Sequence, residues 1–194
     1  GIENITLADI DYAKELGFSI KLLATAKLIQ EKLYLTVQPT LIPLSHPLTS
    51  VRNEVNAIYV TGDDVGEVLL SGKGAGGYPT GSAVVSDIID GVFSINEKIS
   101  RRNLEHNSHS TLKICDTAEV ESAYYLRMIV PDSPGVLENI TKVFHQNAIN
   151  IAKIIQKSAS NNEAEIILST HPIKQKLINN SISELKEYKI KNCL

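Results

Sequence analysis

Two short stretches hold residue types that could do chemistry. The first, Gly72-Lys73-Gly74-Ala75-Gly76-Gly77-Tyr78-Pro79-Thr80, has glycine at four of its first six positions and reaches a proline suited to a helix's first turn. Backbone without side chains can lie against a ligand or another chain segment, so the stretch reads as a site. Its spacing is not that of a phosphate loop: there is no Gly-x-x-x-x-Gly-Lys-Ser/Thr, and the run continues into Pro79-Thr80. The second stretch is Val130-Pro131-Asp132-Ser133-Pro134-Gly135-Val136-Leu137. Here Asp132 or Ser133 can cap a helix, Pro134 suits its first turn, and Gly135 admits a small ligand or a neighbouring chain. Each has a plainer reading: glycine clusters usually mark connections, and Asp-Ser-Pro-Gly also opens ordinary helices.

Other candidates carry less. The histidines His46, His106, His109, His145 and His171 show no metal-ligand spacing. Cys115 and Cys193 lie far apart without a Cys-x-x-Cys pair and read as free thiols in a reducing compartment. Lys21 sits in an apolar run, where a lysine at a sheet rim with its head in water is the commoner case than a buried cation near substrate. Glu3 and Asp9 could form an acid pair, but a helix start explains Asp9 through cap and dipole alone. Arg101-Arg102 reads as a solvated face.

The elements that must position the two stretches follow from periodicity. Thr6 with Asp9 has capping-box spacing, and Ile10, Ala13 and Leu16 recur helically before Gly17, predicting a short helix over 5–16. Residues 18–29 and 33–44 read as a hairpin, with Leu41-Ile42-Pro43 leaving the sheet because proline removes a ladder donor. Strands over 54–61 and 65–70 flank a turn at Gly62-Asp63-Asp64, and Ala83, Val84, Ile88 and Val92 predict a helix over 79–95. Polar residues 96–121 form the expected linker, with an edge strand available at 111–114. Beyond it, strand 123–130, helix 136–147, strands 149–156 and 164–170, helix 173–185 and strand 188–190 give βαββαβ, a ferredoxin-like unit. The fold class is α+β, with expected domains at 1–110 and 120–194.

Composition narrows the partners. The 194 residues are 43% hydrophobic, enough for one large or two small cores. A net charge of −3 gives no electrostatic reason to expect nucleic acid or an acidic membrane surface. No apolar run is long enough to span a bilayer and no secretory leader opens the chain, so a cytoplasmic location is expected. The chain opens at Gly1 without an initiator methionine, which suggests a piece of a longer protein.

The second unit resembles an ACT domain, through residues 130–137 followed by Asn150-Ile151. The resemblance implies amino-acid binding or dimerisation, with Asp132, Ser133, Gly135, Val136 and Leu137 as effector contacts and L-threonine as the default effector. The first unit resembles the later part of the homoserine dehydrogenase catalytic domain. The matching residues are Gly1-Ile2-Glu3-Asn4-Ile5-Thr6, Gly17-Phe18-Ser19-Ile20-Lys21-Leu22-Leu23, residues 39–48, Asn56-Ala57-Ile58 and Gly74 to Thr80 leading into Ser82 to Asp87. That resemblance implies NADP- or NAD-dependent interconversion of aspartate semialdehyde and homoserine by a homodimer or higher oligomer. Gly74, Ala75 and Gly76 would lie beside the nicotinamide. The family's dinucleotide domain, cation site, and proton-transfer lysine and acids have no match here, so no catalytic residue is assigned and the chain alone is expected to be inactive. The alternative is a stand-alone amino-acid-binding regulatory module.

Overall fold

The computed structural model describes residues 2–96, 112–158, 162–185 and 188–193; most of the expected linker, with Arg101-Arg102, His106 and His109, lies outside the described residues, as does part of the 158–162 loop. Packing divides the chain into two compact units that cut across the linear division at 110–120. Residues Gly1–Leu44 pack with Leu112–Leu194, and Ser45–Thr111 forms the other unit.

In the first unit, helix α1 (Leu7–Glu15) starts with the predicted capping box: Thr6 accepts from the Asp9 N–H, and the Asp9 carboxylate accepts from the Thr6 N–H at 2.9 Å. Gly17, at φ +89°, ends it. Strands β1 (Phe18–Ile29) and β2 (Lys32–Pro43) follow as an antiparallel ribbon. Their two-residue turn holds Gln30 and Glu31 at φ +47° and +60°, the twist a tight hairpin demands. The expectation that 41–43 leaves the sheet is corrected: Leu41 pairs with Ile20 and Pro43 with Phe18. Proline is tolerated there because it is the strand's last residue, where the ladder has little left to lose. The register sets Leu22 against Pro39, Ala24 against Val37, Ala26 against Leu35 and Leu28 against Leu33, making one face of the ribbon wholly apolar. That face is open: Leu28 and Val37 are 65% and 69% exposed, while Tyr34 on the opposite face is buried.

The second unit begins with a 3-10 turn, Pro47–Ser50, whose Leu48 N–H donates to His46 Nδ1 at 3.2 Å. Strands β3 (Val55–Gly62) and β4 (Gly66–Lys73) pair antiparallel around a turn closed by Gly66 at φ +69°. Helix α2 (Gly77–Asn96) buries no residue, and Val84, Ile88, Val92 and Phe93 are each more than half exposed.

The first unit resumes with β5 (Lys113–Ile114), parallel to the start of β2, then β6 (Glu121–Ser122) and β7 (Tyr125–Pro131). Helix α3 (Val136–Gln146), β8 (Ile151–Ser158), β9 (Glu163–Thr170), β10 (Ile173–Lys174), α4 (Gln175–Glu184) and β11 (Lys189–Cys193) complete it. The sheet order β11-β7-β9-β8 is that of the expected ferredoxin-like unit. The helix predicted from 173 starts at Gln175 because Ile173 and Lys174 pair with Ser122 and Glu121.

Leu126, Met128 and Val130 of β7 interdigitate with Ile140 and Phe144 of α3, Ile166 and Leu168 of β9, and Ile178 of α4. The sheet's other face is covered too: Tyr125 and Ile167 pack with Leu16, flanked by Tyr12, Phe18, Leu41 and Ile155. Burial on both faces explains why β7 and β9 read as nearly continuous apolar runs instead of alternating. Among the described residues no helix is long and apolar enough to cross a membrane.

Candidate functional site

The glycine-rich stretch straddles the end of β4 and the start of α2. Gly72 is still in the strand, paired with Asn56, and the Gly74 N–H donates to the Glu54 carbonyl at 3.0 Å. A side chain at Gly74 would run into the Asn56 amide, its Cβ 1.6 Å from Nδ2, and Gly76 adopts φ +116°. Gly76 thus needs glycine for its backbone conformation, whereas a side chain at Gly74 would require the Asn56 amide to move. The Thr80 N–H closes the first turn of α2 onto the Gly76 carbonyl, and Lys73 Nζ pairs with Glu54 at 3.0 Å. Residues 74–77 are exposed, and no side chain among them exceeds the methyl of Ala75. Such an edge leaves the backbone open to a flat group laid against it.

The turn between β7 and α3 differs from expectation. Asp132 and Ser133 do not cap the helix with their side chains; the N-cap is Gly135, at φ +90°, and it has no side-chain cap. The Val136 N–H reaches the Ser133 carbonyl at 3.4 Å, the Ser133 N–H the Pro131 carbonyl at 3.1 Å, and the Asp132 N–H the Asn162 carbonyl at 2.8 Å. Backbone bonds therefore organise the turn, and the left-handed glycine starts the helix after both polar side chains have passed. Pro134 accordingly stands before the cap. Nothing lies within 4 Å of a Cβ built on Gly135, and Val136 and Leu137 open the helix beside that space. A cavity of about 380 Å³ in the first unit lies elsewhere, lined among others by Tyr34, Gln38, Ser122, Tyr124, Gln175 and Asn179.

Sequence reasoning missed a buried polar cluster that joins α1 to the sheet. Asp9 is fully buried, its Oδ1 3.2 Å from Arg127 Nη1 and 3.1 Å from the Tyr125 hydroxyl, which donates to it. Arg127 Nη1 also donates to Thr6 Oγ1 at 2.9 Å. Tyr12 donates its hydroxyl to Glu165 Oε2. That bond to a carboxylate, helped by burial, pushes the Tyr12 phenol up to about 12. Burial first, then the Asp9 charge, drives the Tyr125 phenol upward as well. At the margin of the cluster, Lys153 Nζ donates to the Leu16 carbonyl at 2.6 Å and Lys157 lies 5.1 Å from the centre of the Tyr12 ring. The signal was present: Arg127 and Glu165 interrupt apolar strand runs, and a charge in such a run needs a partner. Asp9 was hidden by its local explanation, since the capping box is real.

These two geometries can be set beside known proteins. The homoserine dehydrogenase family model matches residues 1–89, and the ACT domain model matches residues 124–189. A homoserine dehydrogenase of Helicobacter pylori is 41% identical over 187 residues, covering 96% of this chain and 44% of that protein. One from Bacillus subtilis is 35% identical over 173 residues, covering 88% of this chain and 40% of that protein. The crystal structure of a homoserine dehydrogenase from Thiobacillus denitrificans superposes with a TM-score of 0.84 at 35% identity, over 98% of this chain and 45% of that one. The chain thus spans less than half the length of the relatives it matches. With both family segments present in order and the fold shared across nearly its whole length, the chain is similar throughout to an ACT-bearing portion of homoserine dehydrogenases.

Proposed function

We propose that this chain serves an NAD(P)-dependent homoserine dehydrogenase, which interconverts L-aspartate 4-semialdehyde and L-homoserine in threonine and methionine biosynthesis. It supplies the later part of the catalytic domain and the regulatory domain. The observation that carries this reading is the open apolar surface of residues 18–96, which matches a family domain that has more chain than is present here. Leu28, Val37, Ile58 and the inward-patterned residues of α2 stay exposed, as they would if their partners belonged to the rest of that domain.

In this reading Gly74, Ala75 and Gly76 lie beside the nicotinamide of NADP or NAD, and the Glu54 carbonyl holds the Gly74 N–H in place. Asp132, Ser133, Gly135, Val136 and Leu137 form the effector contact, with L-threonine the first candidate. The side chains of Asp132 and Ser133, not engaged in capping, are available to the ligand beside Gly135 and the backbone groups of the turn. The working form is a homodimer or larger assembly in the cytoplasm.

The test is a homoserine-dependent NADP⁺ and NAD⁺ reduction assay on the chain alone and on the product of its reading frame extended upstream. No turnover by the chain and turnover by the longer product is expected. An extended product without turnover, or one lacking a nucleotide-binding Gly-x-Gly-x-x-Gly turn, would overturn the proposal.

A further inference from the structure

The covered face of the β11-β7-β9-β8 sheet gathers ionisable groups that neither the glycine loop nor the 132–137 turn uses. Arg127 is 6% exposed. Its Nη1 is held from α1 and its cap by Asp9 and Thr6, at 3.2 and 2.9 Å. Its Nε stands 3.8 Å from Glu165 Oε1, too far for a hydrogen bond. Among the described residues, that Nε is the one buried side-chain nitrogen or oxygen with no hydrogen-bond partner. The other oxygen of Glu165 is taken by the Tyr12 hydroxyl, also from α1. Helix α1 therefore supplies both the carboxylate that holds Arg127 and the hydroxyl that occupies the carboxylate next to it.

A buried N–H left unpaired costs free energy, and it persists only while a competing bond is worth more. We propose that Arg127 is an exchangeable latch: when α1 lifts from the sheet, Arg127 gives up Asp9 and closes on Glu165, which Tyr12 has released. Lifting α1 then leaves Arg127 with an ionic partner, because Glu165 replaces Asp9, and the cost of opening is that of uncovering Leu16, Tyr125 and Ile167 without that of an unpaired cation. Asp9 returns to water with its helix. A fixed clamp would behave otherwise, since removing α1 would leave the guanidinium without an ionic partner. Arg127 and the turn at 132–137 share β7, so the latch connects the sheet bearing that turn to the segment that leads into β1. The latch itself does not depend on reading the turn as an effector site.

Amide hydrogen exchange on the full chain, followed by mass spectrometry, tests it. Residues 7–15 are expected to exchange by local opening, at least tenfold faster than β7 and β9. Tyr12→Phe frees Glu165 and should speed exchange of 7–15 a further tenfold, with β7 and β9 unchanged. Adding Glu165→Gln removes the second partner, so the double variant should exchange at least threefold more slowly than Tyr12→Phe alone. A clamp predicts the reverse: Glu165→Gln would speed exchange by itself and the double variant would be at least as fast as Tyr12→Phe. That result overturns the latch. So does exchange of 7–15 in the unsubstituted chain only together with β7 and β9, a comparison that stands whichever variants fold.

Discussion

Residues 124–189 and residues 18–96 are built from equally apolar elements but end in opposite states. In the first, α3 and α4 close one face of the sheet and α1 with the start of β1 covers the other, so Leu126, Met128, Phe144, Ile166 and Ile178 are all essentially inaccessible. In the second, the apolar face of the β1–β2 ribbon from Leu22 and Pro39 outward and the whole of α2 find no cover. Propensity and periodicity formed both sets of elements; only one carries the partners its faces need. An amphipathic pattern therefore specifies an element and a face, and what covers the face is a separate matter, settled by whatever further chain folds with it.

The contrast can be broken or sharpened by substitution. The largest effect is expected at the closed core: Phe144→Ala should cost about 3–5 kcal/mol by leaving a cavity, read as a shift in urea midpoint. Its counterpart Ile88→Ala on α2 should leave that midpoint unchanged, because the side chain is 60% exposed and has little burial to lose. Next comes Gly135→Val, which places a branched side chain at φ +90° and should cost about 1–3 kcal/mol in the same titration. It should also abolish amino-acid binding by calorimetry if the turn is the effector contact. Thr6→Ala removes both a cap and an acceptor for Arg127; a loss of about 1 kcal/mol is expected.

The smallest effect is alkaline. Tyr12 titrates near 12 in the folded chain and near its ordinary value of about 10 when unfolded. The stabilisation is thus fully present below pH 10 and drains away as pH rises toward 12. Tyr124, also pushed up to about 12 by burial, and Tyr125, raised still further, add to the same trend. Tyr12→Phe should therefore flatten the fall in melting temperature above pH 10 without removing it, whereas substitutions in α2 should leave it intact.

How much of this was legible in the sequence follows the same divide. The βαββαβ order, the α1 capping box, the β1–β2 hairpin and the β4-to-α2 position of the glycine loop were all readable, because each depends on local spacing. The errors came where a distant partner decided. The β2 strand keeps its proline end because β1 pairs with it there, and α4 begins late because β6 pairs with Ile173 and Lys174. The Asp132 and Ser133 caps were reasonable by residue type, but backbone bonds to Pro131 and Asn162 organise that turn instead. Asp9 is the sharpest case. Its capping role was correct and complete at short range, and its pairing with Arg127, 118 positions away in the chain, left no trace around Asp9, although Arg127 in an apolar run called for a partner.

The most direct test of the account is hydrogen exchange along the unsubstituted chain, comparing α2 with β7 and β9. The account predicts that α2 exchanges nearly as fast as an unprotected helix while β7 and β9 reach the protection set by global unfolding, and that α2 gains protection in the longer product of the extended reading frame. Equal protection of α2, β7 and β9 in the chain by itself would contradict it, since the unit that holds α2 would then have a complete core of its own.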